Sequence, residues 1–378
     1  MVGKATKWAA HALKSRAALY AARIAKYHPQ SADGLTSIPA SLAAGYYTMS
    51  HASASAIIDS GKHPLHTGGG TYQKTFSEVL TKEGNSEQIF VTQYDVGLGK
   101  THQHGYFSMP DGFKAGWGSN IHIYEASVER FEYKDGSPGN KNRKLFNNKT
   151  FFDIEEVVYK KDPRYLAKAW TPEEVYDGRS VWFHDNTVGP SNPNVKGRGG
   201  DVAPRRAPPR NRNRGGRLAQ HRVPLDGSYT YIAYNNDGMD YVVFRTGEMY
   251  LNGAEAAFEI GKPIRAKQLL NAVRNRVGMP PKQQLTLNII KNERFCELFG
   301  ENHHLTDLKT WRDAEASIHM KPKWGIKWYR RASDGMYKAR RWRWNFSQNT
   351  PFLPKMYWLP IGNGRIADNP NLVENPGY

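Results

Sequence analysis

One stretch of this sequence, residues 241–279, restricts the fold more than any other. Small and apolar residues recur in it at alternating intervals of three and four, as they do on one face of an α-helix: Phe244, Gly247, Leu251, Ala254 and Phe258. Gly261 and Pro263 then predict the end of this helix and the start of a second one. We therefore predict a helical hairpin, the unit of tetratricopeptide-like arrays, although the pattern equally fits a helix pair in any α-domain.

The rest of the chain also indicates a folded, mainly helical protein. It has 378 residues, of which 39% are hydrophobic and 12% aromatic, enough for one large domain or two modest ones. No apolar run is long enough to span a membrane, and Cys296 is the single cysteine, so no internal disulfide can form. Apolar spacing predicts further helices over 4–27, 40–60, 72–80, 120–133, 286–299 and 307–316, with an extended run at 89–91.

The net charge of +18 is concentrated in two segments. Residues 196–222 and residues 321–343 each hold nine basic residues and one acidic residue, so the remainder is nearly neutral. The wider tract 186–223 consists largely of Arg, Pro, Gly and Asn, and we expect it to be a disordered insert or an aberrant, frame-shifted segment. A basic helical-repeat protein that binds nucleic acid is the alternative function that this charge suggests.

The stretches that resemble catalytic, metal-binding or cofactor-binding motifs are incomplete matches to those motifs. The Gly97–Thr101 stretch resembles the end of a phosphate-binding loop, but Tyr94 occupies the position of the first glycine. The pairs His102/His104 and His303/His304 lack further ligands at zinc spacing. We therefore expect no metal and no cofactor.

Glu248 and Glu255 lie on one helix face and could act as paired carboxylates on a sugar. Arginines are close to them in the sequence, and buried carboxylates are normally paired, so we favour a structural ion-pair network over catalysis. The residues that we expect to be structural are Arg245, Glu248, Glu255, Arg274, Arg276, Glu293 and Arg294.

An ordered set of segments resembles the RagB/SusD family. The best matches are residues 245–256, 270–280, 293–298, 307–311 and 369–378, and residues 6–20, 46–61 and 128–136 match upstream. Four positions depart from the family pattern, which puts local packing in doubt there: Thr246, Gly247, Gly300 and Thr310. The C-terminal half, 241–378, matches best, and we expect residues 1–378 to form one domain that lacks the N-terminal part of the family, with its export signal, lipidated cysteine and first helices.

This resemblance implies a mostly α fold, a superhelix of tetratricopeptide-like helical pairs with long irregular ligand-binding loops and few short strands. It implies a non-catalytic lipoprotein at the cell surface, in the outer membrane of Bacteroidota-type bacteria. Such a protein binds a glycan or other nutrient and delivers it to a SusC-like TonB-dependent transporter barrel. It would contact the membrane only through an N-terminal lipid anchor absent from this chain, and it would not bind nucleic acid.

Sugar binding needs flat aromatic faces and hydrogen-bonding groups, which loops on a rigid helical frame can present. Trp117 and Trp182 are our first candidates, because their Gly-rich and polar neighbours suggest exposure. The further candidates are Tyr106, Phe107, Phe183, Trp324 and Trp328. Each of these side chains could instead pack in the core or within a loop.

Overall fold

A computed structural model describes residues 3–31, 34–108, 122–176, 179–182, 184–186, 201–202, 218–219, 234–331, 333–343 and 350–378. The side chains of residue 122, residue 176 and the short segments from 179 to 219 lie outside this description. The helices are α1 (Lys7–Tyr27), α2 (Ala43–Asp59), α3 (Tyr72–Thr81), α4 (His104–Ser108), α5 (Glu125–Val128), α6 (Pro163–Lys168), α7 (Thr246–Glu259), α8 (Pro263–Arg276), α9 (Leu287–Leu298), α10 (His304–Thr310), α11 (Ala314–Ile318) and α12 (Asn363–Asp368).

The strands are short and form small sheets. They are β1 (Gln88–Thr92), β2 (His122–Ile123), β3 (Val175–Tyr176), β4 (Arg179–Trp182), β5 (His184–Asn186), β6 (Asp201–Val202), β7 (Leu218–Ala219), β8 (Tyr241–Arg245), β9 (Trp324–Arg330) and β10 (Tyr337–Arg343). Strand β1 pairs with β8 and β2 with β7, whereas β10, β9 and β5 form one three-stranded sheet and β3, β4 and β6 form another. None of the described helices is long and apolar enough to cross a bilayer.

Paired helices form the frame. Helices α1 and α2 run antiparallel, because Ala12 shares a cluster with Ala54 while Leu19 packs near Tyr47. Helix α7 lies against α2, α8 and α9, and its residues belong to four of the apolar clusters of this frame. The prediction of a mostly α protein built from helical pairs is confirmed.

The stretch from 241 to 279 is a helical hairpin, but it begins with a strand. Phe244, which the spacing placed on the helix, lies in β8 opposite Phe90 of β1, and α7 starts at Thr246. Backbone pairing to a strand far away in the sequence therefore overrides the local helical spacing. Gly261 takes the left-handed conformation (φ +73°) between α7 and α8, as predicted.

A second core lies beside the helical frame and is largely aromatic. The inward residues of β9 and β10 pack there against Phe131, Tyr165 and Trp170. This hairpin was not predicted, because basic residues interrupt the apolar alternation of its strands. The helix predicted over 120–133 is wrong, since only the single turn of α5 is helical within the described part of that range.

The first helix, α1, is capped at its N-terminus. The side chain of Thr6 accepts a hydrogen bond from the backbone N–H of Ala9, at 3.3 Å. That bond satisfies one of the free N–H groups of the first turn.

The tract 186–223 falls almost entirely outside the described residues, so its predicted disorder stays a prediction.

Candidate functional site

A cavity of about 470 Å³ lies between the loop that follows β1 and the segment that precedes and includes β8. We call it the Tyr94 pocket. Its volume falls within the range of ordinary small-ligand sites. The lining residues are Leu80, Tyr94, His102, His104, Asp237, Met239, Asp240, Tyr241, Val242, Gly300, Glu301 and Asn302.

Two aspartates hold the walls of this pocket together. The Asp237 carboxylate accepts hydrogen bonds from the backbone N–H groups of Gly105, at 2.6 Å, and Met239, at 3.0 Å. The Asp240 carboxylate accepts one from the backbone N–H of Tyr94, at 3.0 Å. Both carboxylates are buried, and these bonds compensate part of their lost hydration. Their first role is therefore to fix two distant chain segments against each other.

Both ring nitrogens of His102 have polar partners. Its Nδ1 atom lies 3.1 Å from the backbone nitrogen of His104 and 3.4 Å from a carboxylate oxygen of Asp237. Its Nε2 atom carries a proton and donates it to the Met239 carbonyl oxygen, at 2.8 Å. The ring meets the Tyr94 ring edge to face with centroids 4.6 Å apart.

One lining residue, Glu301, is strongly anchored. Its carboxylate accepts from Arg245 Nε at 2.7 Å and from Lys168 Nζ at 2.7 Å. Burial alone raises the pKa of Glu301, but these two cations outweigh it and hold the pKa well below the ordinary value. Burial also lowers the pKa of Lys168 to about 8, with Glu301 acting against that shift.

The pocket therefore presents aromatic faces beside fixed acceptors. Tyr94 is half-buried and Tyr241 is exposed at the edge of β8, while Leu80 and Val242 add apolar surface. Aromatic faces pack against C–H groups, and carboxylate, imidazole and amide groups hydrogen-bond hydroxyls. This combination suits a polar ring with many hydroxyls better than a purely apolar ligand.

The two glutamates considered as catalysts are inside the helical frame. Glu248 is bound by Arg16 Nε at 2.7 Å, and Glu255 by Arg23 Nε at 2.7 Å. Burial raises the pKa of Glu248, but Arg16 more than offsets this, so the pKa stays below its ordinary value. Both side chains are buried, and neither lines the Tyr94 pocket. They tie α7 to α1.

Most of the remaining charged residues predicted to be structural belong to one buried ion-pair network. Arg245 bridges Glu87 and Glu297, at 2.7 and 2.8 Å. Arg276 contacts these same two glutamates. The outer pairs of this network are Arg274 with Glu293 at 2.6 Å and Arg164 with Glu293 at 2.5 Å. Arg294 instead pairs at 2.9 Å with Asp307, which also binds Arg23, the partner of Glu255.

Two predicted ligand-binding aromatics are core residues instead. Tyr106 and Trp328 are each 2% exposed, because both belong to the aromatic core, where Phe146 and Phe152 flank Trp328. A ring enclosed in this way cannot offer a face to a ligand. The prediction is therefore wrong for these two residues.

The other predicted aromatics have different positions. Phe107 is half-buried against Tyr106, and Trp324 is half-buried under the Arg341 guanidinium, 4.6 Å from the ring centroid. Trp117 and Phe183 lie outside the described residues, as does the side chain of Trp182, whose backbone belongs to β4. For these three the prediction stays untested.

Sequence reasoning missed Tyr94, Asp237, Asp240 and Tyr241. The usable signal was the Gly-, His- and aromatic-rich composition of residues 93–118, which includes Tyr94 and His102. Nothing in the sequence indicated that residues 237–242 would face that loop. Among the described residues, no group of three or more His, Cys, Asp or Glu side chains is arranged to hold a metal ion.

Comparisons with known proteins agree with this architecture. A SusD-like protein of Bacteroides fragilis is 21% identical, with the alignment covering 100% of this chain and 66% of that one at a TM-score of 0.67. A second, described as a SusD-like carbohydrate-binding protein of the same species, is 18% identical over 98% of this chain and 65% of that one, with a TM-score of 0.66. Surface glycan-binding protein A of Bacteroides uniformis is 16% identical over 99% and 62%, with a TM-score of 0.55.

The chain thus spans about two thirds of the length of these solved structures. The comparison with curated proteins finds no match. The model of the SusD family matches residues 86–378, which include the Tyr94 pocket and most of the ion-pair network. This chain belongs to the SusD family.

Proposed function

We propose that this chain binds a glycan in the Tyr94 pocket. The observation that carries the proposal is the cavity of about 470 Å³, with two tyrosines and fixed polar groups on its walls, in loops held by a helical frame. Its size accommodates a short run of sugar units. Similar folds described as carbohydrate-binding and surface glycan-binding proteins support this ligand class.

SusD-like proteins are not catalysts, and the expectation that this chain is not an enzyme is confirmed by its family. The physical chemistry is consistent with binding alone. The Asp237 and Asp240 carboxylates are occupied by backbone N–H groups, and Glu301 is held by two cations. Such groups orient hydroxyls but are poorly placed to exchange protons with a glycosidic oxygen.

The direct test is affinity gel electrophoresis and calorimetry with a panel of neutral polysaccharides. Tyr94→Ala and Tyr241→Ala should each weaken binding roughly tenfold, because each removes one stacking surface. Tyr72→Ala is the matched control, since Tyr72 is 55% exposed and lies outside the pocket. Unchanged affinity in both pocket variants, or retention of the folded protein by no polysaccharide, would refute the proposal.

We also propose that the protein acts at the cell surface and passes its ligand to a SusC-like TonB-dependent transporter barrel. Family membership supports this proposal. The test is co-purification of a tagged form of the protein with the barrel encoded nearest to its gene. Recovery of that barrel in stoichiometric amount is expected. Recovery of the protein alone from gently solubilised outer membranes would contradict it.

A further inference from the structure

The sheet formed by β9 and β10 has two chemically different faces. Ile326, Trp328 and Ala339 point into the aromatic core. Because side chains alternate along a strand, the residues between them lie on the opposite face. There, Tyr329 is opposite Lys338, and Lys327 is opposite Arg340. The outer face of this sheet is therefore basic and partly aromatic.

The chain segment before and after residue 150 extends this face. The backbone N–H of Asn148 donates to the Ala339 carbonyl at 2.8 Å, and that of Phe152 donates to the Tyr337 carbonyl at 2.7 Å. This pairing brings exposed Lys149 next to β10, and exposed Lys144 lies three residues before Asn147, which pairs with Arg340. We call Lys144, Lys149, Lys338 and Arg340, together with the rings of Phe151 and Tyr329, the cationic sheet face.

The two rings help to position the cations. The Lys338 ammonium lies 5.5 Å from the centroid of Phe151 and 5.6 Å from that of Tyr329. The Arg331 guanidinium lies 4.0 Å from the centroid of Phe151. Contacts of this kind attract the cation to the ring. Part of the face is thus ordered before any ligand arrives.

The cations in and beside this face differ in whether a carboxylate neutralises them. Arg331 is paired with Asp334 at 2.5 Å, and Arg330 with Glu173 at 2.6 Å. By contrast, Lys144, Lys149, Lys338 and Arg340 have no carboxylate partner within the described parts of the chain. Like charges gathered on one sheet face destabilise it, so an anionic partner would relieve that repulsion.

We propose that the cationic sheet face binds the carboxylate or sulfate groups of an acidic polysaccharide. This inference rests on the proposed glycan binding and adds the substrate class. The ammonium and guanidinium groups meet the anionic groups of the polymer. The Tyr94 pocket has Asp237, Asp240 and Glu301 on its walls, and it instead receives uncharged sugar units of the same polysaccharide. Charge complementarity thus divides the ligand between two surfaces.

The test compares polygalacturonate and dextran sulfate with uncharged dextran, by affinity electrophoresis of the whole protein. The variant K144Q/K149Q/K338Q/R340Q should bind the acidic polymers about tenfold more weakly or worse, because four charge contacts are lost. The matched control K14Q/K62Q/K74Q/R365Q removes the same number of lysines and arginines from exposed positions elsewhere, whereas three of the four residues in the test variant are exposed and Lys338 is half-buried; the control should keep binding. K144R/K149R/K338R should also keep it, because these changes preserve the charge.

Several outcomes would overturn the inference. Equal losses in both quadruple variants would mean that net charge alone attracts the polymer. Binding of a duplex DNA fragment as tight as that of the acidic polymers, at about 150 mM salt, would assign the face to nucleic acid. Binding of uncharged glycans that depends on Tyr94, without any binding of the acidic polymers, would leave the proposed function standing and remove only this inference.

Discussion

At the scale of single residues, Arg245 shows how one side chain holds several elements together. It is the last residue of β8 and the N-cap of α7. From there its guanidinium reaches Glu87, before β1, and both Glu297 and Glu301 near the end of α9. Desolvation lowers the pKa of Arg245, but these carboxylates raise it well above the ordinary value. The guanidinium is therefore permanently charged, and its burial is stable only with all partners present.

Arg245→Met should consequently lower the free energy of unfolding by about 3–5 kcal/mol, because it removes one of the cations that neutralise the buried carboxylates of Glu87, Glu297 and Glu301. Urea denaturation followed by tryptophan fluorescence measures this change. Arg265→Met is the control, since Arg265 forms an exposed ion pair with Asp59 at 3.0 Å and should cost less than about 1 kcal/mol. Similar losses in the two variants would show that the network does not act as a unit.

At the scale of the element, α7 has two glycines in different surroundings. A Cβ atom on Gly247 would lie 2.2 Å from a guanidinium nitrogen of Arg245 and 2.7 Å from carboxylate oxygens of Glu87 and Glu297. A Cβ atom on Gly253 would meet only the end of the Leu269 side chain at 3.1 Å and Ala54 at 3.5 Å. Gly247 therefore makes room for the ion-pair network rather than for another helix.

Gly247→Ala should destabilise the protein by about 1–3 kcal/mol, because the added methyl group displaces charged groups that have no free space. Gly253→Ala should be close to neutral, since the better helix propensity of alanine, up to about 1 kcal/mol, offsets a contact that the flexible leucine can relieve. Thermal unfolding of the two variants in parallel tests this order. A larger loss in Gly253→Ala would contradict it.

At the scale of the whole molecule, the buried ion-pair network lies between the helical frame and the elements that surround the Tyr94 pocket. Glu297 and Glu301 are its central carboxylates, and both belong to the end of α9 or the turn after it. Burial raises the pKa of Glu297, but Arg276, Arg245 and Arg164 outweigh it and lower the pKa strongly. The pKa of Glu301 is also lowered.

Because the pKa values of Glu297 and Glu301 are lowered in the folded protein, its stability depends on pH. In the unfolded chain these glutamates take up protons near the ordinary value of 4.5, whereas in the folded chain they stay ionised to lower pH. The unfolded state therefore binds more protons below pH 4.5, and the free energy of unfolding should fall as pH decreases from there. Above pH 4.5 both glutamates make their full contribution to the free energy of unfolding.

Urea denaturation at several pH values between neutral and strongly acidic measures this dependence. Glu301→Gln should be less stable at neutral pH and show a shallower acid-side slope, because one of the shifted carboxylates is gone. Glu156→Gln is the control, since Glu156 pairs with Lys160 on the surface and its side chain is 58% exposed. An acid-side slope in Glu301→Gln as steep as that of the unchanged protein would contradict the assignment.

The local features of the chain were accessible from the sequence. The helix from Thr246 onward, its termination at Gly261 and the restart at Pro263 depend on spacing and backbone preference within a few residues. The ordered motifs identified the family, which the match over residues 86–378 confirms. Short-range periodicity determines such elements because neighbouring turns of a helix contact one another regardless of the rest of the fold.

The candidate site could not be found in the same way. The Asp240 carboxylate and the Tyr94 backbone N–H that it accepts from are 146 residues apart in the sequence, and no spacing rule relates them. The burial of Trp328 and Tyr106 likewise depended on distant aromatic partners. The sequence by itself thus determined the helical hairpin and the family. Only the tertiary structure decided which aromatic rings face a pocket, because exposure results from long-range packing.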